Sequence, residues 1–175
     1  MIDFTHNHFE LFGLPMHFRV DGNVLDSRYG ELQRDVHPDR FAGGDDAQQR
    51  LAMQAAARVN EAYRTLRNPV DRGRYMLLLS GIDALAETDT ALALAFLERQ
   101  LERRERAAEA FEAGDVMALE GIVDEIRDES KRREHDLAAR FDAHDVEAAR
   151  TDVRELKFLQ KVAEDVVAMI EMADG

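Results

Sequence analysis

The chain contains no cysteine. That removes disulfides, a thiol nucleophile and any cysteine-based metal site, and it fits a reducing cytoplasm. Only three prolines and ten glycines interrupt 175 residues dominated by Ala, Leu, Glu and Arg, a composition that predicts an all-α protein. No apolar run approaches the roughly 20 residues of a membrane span; the longest, Tyr75-Met76-Leu77-Leu78-Leu79, is the size of a core segment. The opening Met1-Ile2-Asp3 starts no basic-then-apolar leader. Neither a Walker-type nucleotide loop nor a glycine-rich dinucleotide turn is present. A soluble cytoplasmic protein without a cofactor is therefore expected.

Positive charge is also scarce, and unevenly so. The net charge is -13. Residues 1–80 hold 10 basic and 11 acidic side chains, and residues 81–175 hold 13 and 25. This distribution offers no basic surface of the size a nucleic acid needs, which argues against nucleic-acid binding. The asymmetry predicts a nearly neutral N-terminal unit and an acidic C-terminal one. Hydrophobic content of 45% supports real cores for one or two small domains.

Helical periodicity organises what is there. Phe9–Pro15 reads as a short helix closed by Gly13 and Pro15. After the Asp21-Gly22 turn, Leu25, Tyr29, Leu32 and Val36 fall on one face of a helix over 24–36. Pro38 ends it, because the residue before a proline leaves the α region. A loop through Arg40-Phe41-Ala42-Gly43-Gly44-Asp45 leads to a helix over 46–67, with Leu51, Ala55, Val59, Ala62, Tyr63 and Leu66 inward. Asn68 caps a further helix opened by Pro69 and closed at Ser80-Gly81. Residues 81–89 read as a linker, with Asp89 or Thr90 capping the next helix. Three long helices follow, over 90–112, 116–141 and 145–173; their short separating turns predict a three-helix bundle.

Two features carry chemistry. The first is His37-Pro38-Asp39, at the tip between two helical arms. Proline stiffens the tip, so that His37, a donor and acceptor, and Asp39, an acceptor suited to an arginine, lose less entropy on docking. The second lies in the bundle. Leu94, Leu97, Leu101, Ala108 and Phe111 form an apolar stripe interrupted by Arg104, beside an acidic stripe of Glu98, Glu102, Glu105 and Glu109. In the last helix, Val146, Ala149, Val153, Leu156, Leu159, Ala163, Val166, Val167 and Ile170 share a face, and Phe158 stands nearly opposite. It is either an exposed anchor or a contact with the N-terminal unit or another helix. His6-Asn7-His8 has the letters of a metal dyad but no fixed third ligand, and His17, His135 and His144 stand apart, so no metal site is expected.

The antiparallel arms with His37-Pro38-Asp39 at their tip resemble a J-domain, the module that stimulates ATP hydrolysis by DnaK-type chaperones. The whole chain resembles the HscB family of J-type co-chaperones of iron–sulfur cluster assembly. The matching stretches are Phe9–Pro15, Leu32 through Ala42, Val59 through Leu66, Ala95 through Glu102 and Val153 through Leu159. The resemblance implies a J-domain over 1–80, the linker over 81–89, and a scaffold-binding three-helix bundle over 90–175. It implies an adaptor rather than an enzyme. His37, Pro38 and Asp39 would dock on the ATPase HscA, with Arg28, Arg34 and Arg40 steering. Leu97, Leu101, Glu102, Glu105, Glu109 and Phe158 would contact the cluster scaffold IscU. A family position near this strip that is usually apolar is Glu98 here. The Gly/Phe-rich segment and zinc-binding cysteines of general DnaJ-type proteins are absent. The alternative is a general DnaK co-chaperone with another client.

Overall fold

In the computed structural model, residues 3–37, 43, 45–86 and 92–173 are described. Among them every regular element is an α-helix: α1 (His8–Leu11), α2 (Gly22–Val36), α3 (Asp46–Arg67), α4 (Pro69–Leu79), α5 (Leu94–Glu112), α6 (Val116–Asp142) and α7 (Val146–Ala173). This is the all-α architecture expected: a helical hairpin with short flanking helices, then a three-helix bundle. None of these helices is long and apolar enough to cross a membrane.

Most helix starts are written in short polar side chains that satisfy the free N–H groups of the first turn. Asn7 and Glu10 form a reciprocal capping box on α1, with Asn7 Oδ1 accepting from Glu10 N at 3.0 Å and Glu10 Oε2 from Asn7 N at 2.8 Å. Asp21, Asp45, Asp115 and Asp145 accept first-turn N–H bonds on α2, α3, α6 and α7. Asn68 accepts from Val70 and Asp71, with Pro69 in the first helical position as expected. α5 departs from expectation. It begins at Leu94, four residues later than periodicity predicts, and Ala93 provides no side-chain cap. The expected caps Asp89 and Thr90 lie outside the described residues.

The α5–α6 and α6–α7 connections are the same turn made twice. In each, the Asp N–H reaches back five residues, Asp115 to Ala110 O and Asp145 to Arg140 O, both at 2.9 Å. The turn requires a left-handed residue after the C-cap. Gly114 supplies it at φ 66°, and His144 supplies it at φ 57°, where a Cβ is unfavourable.

The chain divides into two compact units, Met1–Met76 and Leu77–Gly175. In the first, α2 and α3 form the hairpin over a core including Phe9, Phe12, Phe18, Leu25, Val36, Val59, Ala62 and Leu66. α3 buries Ala52, Ala55, Val59, Ala62 and Leu66. Leu51, expected inward, is instead 36% exposed, and the small Ala52 takes the buried place.

In the second unit α5, α6 and α7 pack mutually around Phe96, Leu119, Ile122, Ile126, Leu159, Val162 and Val166. Ala84, in the stretch read as a linker, is buried here, and its carbonyl accepts from Arg154 Nε at 2.8 Å. On α7 the inward face includes Val162 and Glu155, whereas Val167 is exposed.

Candidate functional site

The first candidate surface is the end of the α2–α3 hairpin. Its arms are fixed by a polar seam. The Tyr29 and Tyr63 rings stack at 4.0 Å. Tyr29 Oη donates to Asn60 Oδ1 at 2.9 Å, and Gln33 Nε2 donates to Tyr29 Oη at 2.7 Å and to Asn60 Oδ1 at 2.5 Å. Tyr63 Oη donates to Asp26 Oδ1 at 2.9 Å, and this bond holds the Tyr63 phenol above its usual pKa. Such linked side-chain bonds lock the relative register of two helices more firmly than apolar contact alone.

His37 follows directly on this braced arm. It is the C-cap of α2, exposed, with ψ 126°, so the helix ends there as expected of a residue before proline. Pro38, Asp39 and Arg40 lie outside the described residues. Arg28 and Arg34 are both exposed on α2. Arg28 pairs with Glu31 at 3.2 Å, and Arg34 Nε donates to Gly30 O at 3.0 Å. Asp26, Glu31 and Asp35 interleave with these arginines, so the described face of α2 is mixed in charge rather than basic.

The N-terminal histidines have separate surroundings. His6 faces Asp3 at 3.6 Å, Asn7 caps α1, and His8 lies buried and stacked on Tyr75 at 4.1 Å, donating its backbone N–H to Tyr75 Oη. Burial, reinforced by Arg58, lowers the His8 pKa.

The second candidate surface is on the bundle, and α5 sets it. An amphipathic helix normally buries its apolar stripe. α5 does so only in part. Its buried positions are Phe96, Gln100, Arg103, Ala107 and Ala110. Its leucines point outward: Leu94 is 71% exposed, Leu97 38% and Leu101 60%.

Arg103 and the Gln100 carbonyl oxygen belong to a charged layer that sequence reasoning missed. Arg103 donates to Gln100 Oε1 at 2.6 Å and to Glu129 Oε2 at 2.9 Å. Arg133 joins Glu129 to Glu155, which is itself buried on α7. Arg133 also lies over the Phe96 ring at 5.0 Å. Burial alone would push the Glu129 carboxyl up, but the bonds and charges of Arg103 and Arg133 outweigh it and hold it below its usual pKa. The signal for this layer was the i, i+4, i+7 placement of Phe96, Gln100 and Arg103, a row that composition marks as solvent-facing.

Phe158 from α7 meets the outward leucines. Its ring packs edge-on against Phe96, with centroids 5.7 Å apart, and the Arg104 guanidinium lies 5.4 Å from its centroid. Arg104 also pairs with Asp165 at 3.6 Å. Phe158 is thus half-buried, and both readings of it hold in part: it contacts a neighbouring helix and still borders solvent. Together Leu94, Leu97, Leu101 and Phe158 line an open groove of about 320 Å³, with Glu98, Gln100 and Arg104 completing its wall. Leu97, Leu101 and Phe158 therefore converge. Glu102, Glu105 and Glu109 are exposed along α5 but outside the groove lining. Leu94, Glu98, Gln100 and Arg104 are the groove residues that the expected contact set left out.

Comparison with known proteins agrees with this architecture. Residues 92–167 match the family model described as the HSCB C-terminal oligomerisation domain. A co-chaperone protein HscB homolog of Burkholderia multivorans is 46% identical over 171 residues, covering 98% of each chain. Among solved structures, chaperone HscB from Vibrio cholerae superposes with a TM-score of 0.84 at 33% identity, covering 95% of this chain and 99% of its own. Human co-chaperone protein HscB gives a TM-score of 0.88 at 30% identity, covering 95% of this chain and 83% of its own. The fold and its relatives define an all-helical co-chaperone. The chain belongs to the HscB co-chaperone family.

Proposed function

We propose that this chain is the adaptor that brings the iron–sulfur cluster scaffold IscU to the DnaK-type chaperone HscA and stimulates the ATPase of that chaperone. The N-terminal J-domain, residues 1–80, docks on HscA through His37, Pro38 and Asp39, with Arg28, Arg34 and Arg40 at the margin. The bundle, residues 90–175, joined by the linker 81–89, holds IscU. Leu97, Leu101 and Phe158 supply the apolar contact, and Glu102, Glu105 and Glu109 an acidic border that favours a basic partner rim. The chain works in the cytoplasm as a binding protein. Hydrolysis occurs on HscA, whose hydrolysis-competent conformation is stabilised by docking. Holding both partners raises their effective concentration, so scaffold capture coincides with ATP turnover.

The observation that carries the client half of this reading is the outward turn of α5. A helix that exposes Leu94, Leu97 and Leu101 while burying Gln100 and Arg103 has its apolar surface available to another molecule. The test is steady-state ATP hydrolysis by HscA with this chain, with IscU, and with both. Synergy of the two, lost in His37→Gln, supports the reading. Stimulation by this chain without IscU synergy indicates a general DnaK-type co-chaperone with another client. Absence of stimulation by the folded chain overturns the J-domain assignment.

A further inference from the structure

One residue lining the α5–α7 groove, Gln100, carries a polar group with no hydrogen-bond partner. Gln100 is 1% exposed. Its orientation is fixed chemically, because Arg103 can only donate, and its Nη1 lies 2.6 Å from the Gln100 carbonyl oxygen. The oxygen must therefore face Arg103, and the amide nitrogen must face away from it. That nitrogen is sealed from solvent and makes no hydrogen bond. A buried amide donor left unsatisfied is costly, and native cores satisfy almost all such groups. Other buried nitrogens of this chain also lack partners, but they belong mainly to arginines that bond through their other nitrogens. The Gln100 amide differs in belonging to a residue that lines a groove open to solvent, between Leu97, Leu101 and Phe158.

We infer that the Gln100 amide is a recognition donor for the scaffold: the occupant of the groove brings a hydrogen-bond acceptor, such as a backbone carbonyl, beside the apolar side chain that fills it. The inference rests on the scaffold-binding reading above and specifies the chemistry of that contact. Leu101 is mostly exposed and Phe158 is half-buried, so in this proposal the occupant reaches the donor by displacing these side chains. An apolar groove alone accepts any apolar plug. A buried donor among its lining residues favours an occupant that brings an acceptor, because only that occupant gives the amide the bond it lacks in the free chain.

Gln100→Glu tests this, with a negative charge added beside Arg103 and Glu129. It keeps the oxygen that Arg103 bonds and replaces only the NH2 by an acceptor. Gln100→Met removes the donor without adding charge, and removes with it the oxygen that Arg103 bonds. With purified IscU as titrant, both variants are expected to bind about tenfold more weakly or worse, the cost of one lost hydrogen bond. Circular dichroism and thermal midpoint confirm that each is folded. An independent reading needs no variant in the titration: the side-chain NH2 resonances of Gln100, assigned by their loss in Gln100→Met, should move downfield as IscU is added to the wild-type chain. Wild-type binding with unweakened variants, or with unmoved Gln100 amide resonances, overturns the inference and leaves the scaffold reading in place. Failure of the wild-type chain to bind IscU at all removes the scaffold reading, and this inference with it.

Discussion

Leu101→Ala separates the candidate binding surface from the fold more cleanly than a change at Leu97 or Phe158. Leu101 is 60% exposed in the free chain. Fully burying a leucine side chain is worth about 1.5–3 kcal/mol. If IscU covers the exposed share, truncation should cost about 1–2 kcal/mol of binding free energy, a five- to thirtyfold rise in Kd. The share already covered by the bundle is smaller, so the stability loss should stay near or below about 1 kcal/mol. Isothermal titration with IscU measures the first quantity and urea unfolding the second. Met117→Ala is the control, since Met117 is 82% exposed on α6 and does not line the groove. Leu101→Ala with wild-type affinity, or Met117→Ala with an equal loss, would refute the argument. Phe158→Ala is a less selective probe. Because Phe158 packs on Phe96, its removal should weaken binding and also destabilise the bundle by about 1–2 kcal/mol. Leu101 and Phe158 share one groove, so their effects should not add.

Three further outcomes follow from other parts of the molecule. Glu129 has its pKa lowered in the fold, so it binds protons more readily when unfolded; its contribution is present above the ordinary glutamate range and is lost as pH falls through the lowered value. Glu129→Gln should therefore flatten the acid limb of the unfolding profile, and an unchanged limb would show that the layer does not govern acid lability. It should also destabilise at neutral pH by about 3 kcal/mol, since Arg103 and Arg133 lose a buried counter-charge. His144→Gly should raise stability by about 0.5–1 kcal/mol by relieving a left-handed non-glycine residue, whereas Gly114→Ala in the equivalent turn should lower it by about 1 kcal/mol, both read by thermal melting. His37→Gln should abolish HscA stimulation with no change in melting temperature, because His37 is exposed beyond the end of α2; a lower melting temperature would mean that the tip is structural.

The helices were legible because their ends are local chemistry. Asn68-Pro69, Asp115 and Asp145 bond the N–H groups of residues two or three positions on, and nothing distant is needed to read them. The start of α5 was not legible for the same reason, since Ala93 offers no side-chain cap. The apolar face of α7 was read largely correctly, but Glu155 within it was not. Its burial depends on Arg133 of α6, a partner 22 residues away. For α5, periodicity found the leucine stripe and the acidic stripe but not which way they faced. A helical wheel gives relative angles only, and the face that turns inward is decided by what the neighbouring helices offer.

On α5 those neighbours offer charge. Glu129 lies where Arg103 can reach it at 2.9 Å, and Gln100 accepts from the same guanidinium. Rolling α5 to bury Leu97 and Leu101 would gain apolar area, but it would carry Arg103 into solvent and leave Glu129 and Glu155 sharing only Arg133. Removing one partner from a buried charged layer costs about 3–5 kcal/mol, against about 1.5–3 kcal/mol returned by burying the exposed parts of the two leucines. The charged layer thus opposes the packing that hydrophobicity alone favours, and the leucines stay outside beside Phe158. The surface read here as the scaffold site and the buried ion pairs beneath it are two sides of one helix orientation. Substitutions at Glu129 or Arg103 should therefore weaken the groove without touching it.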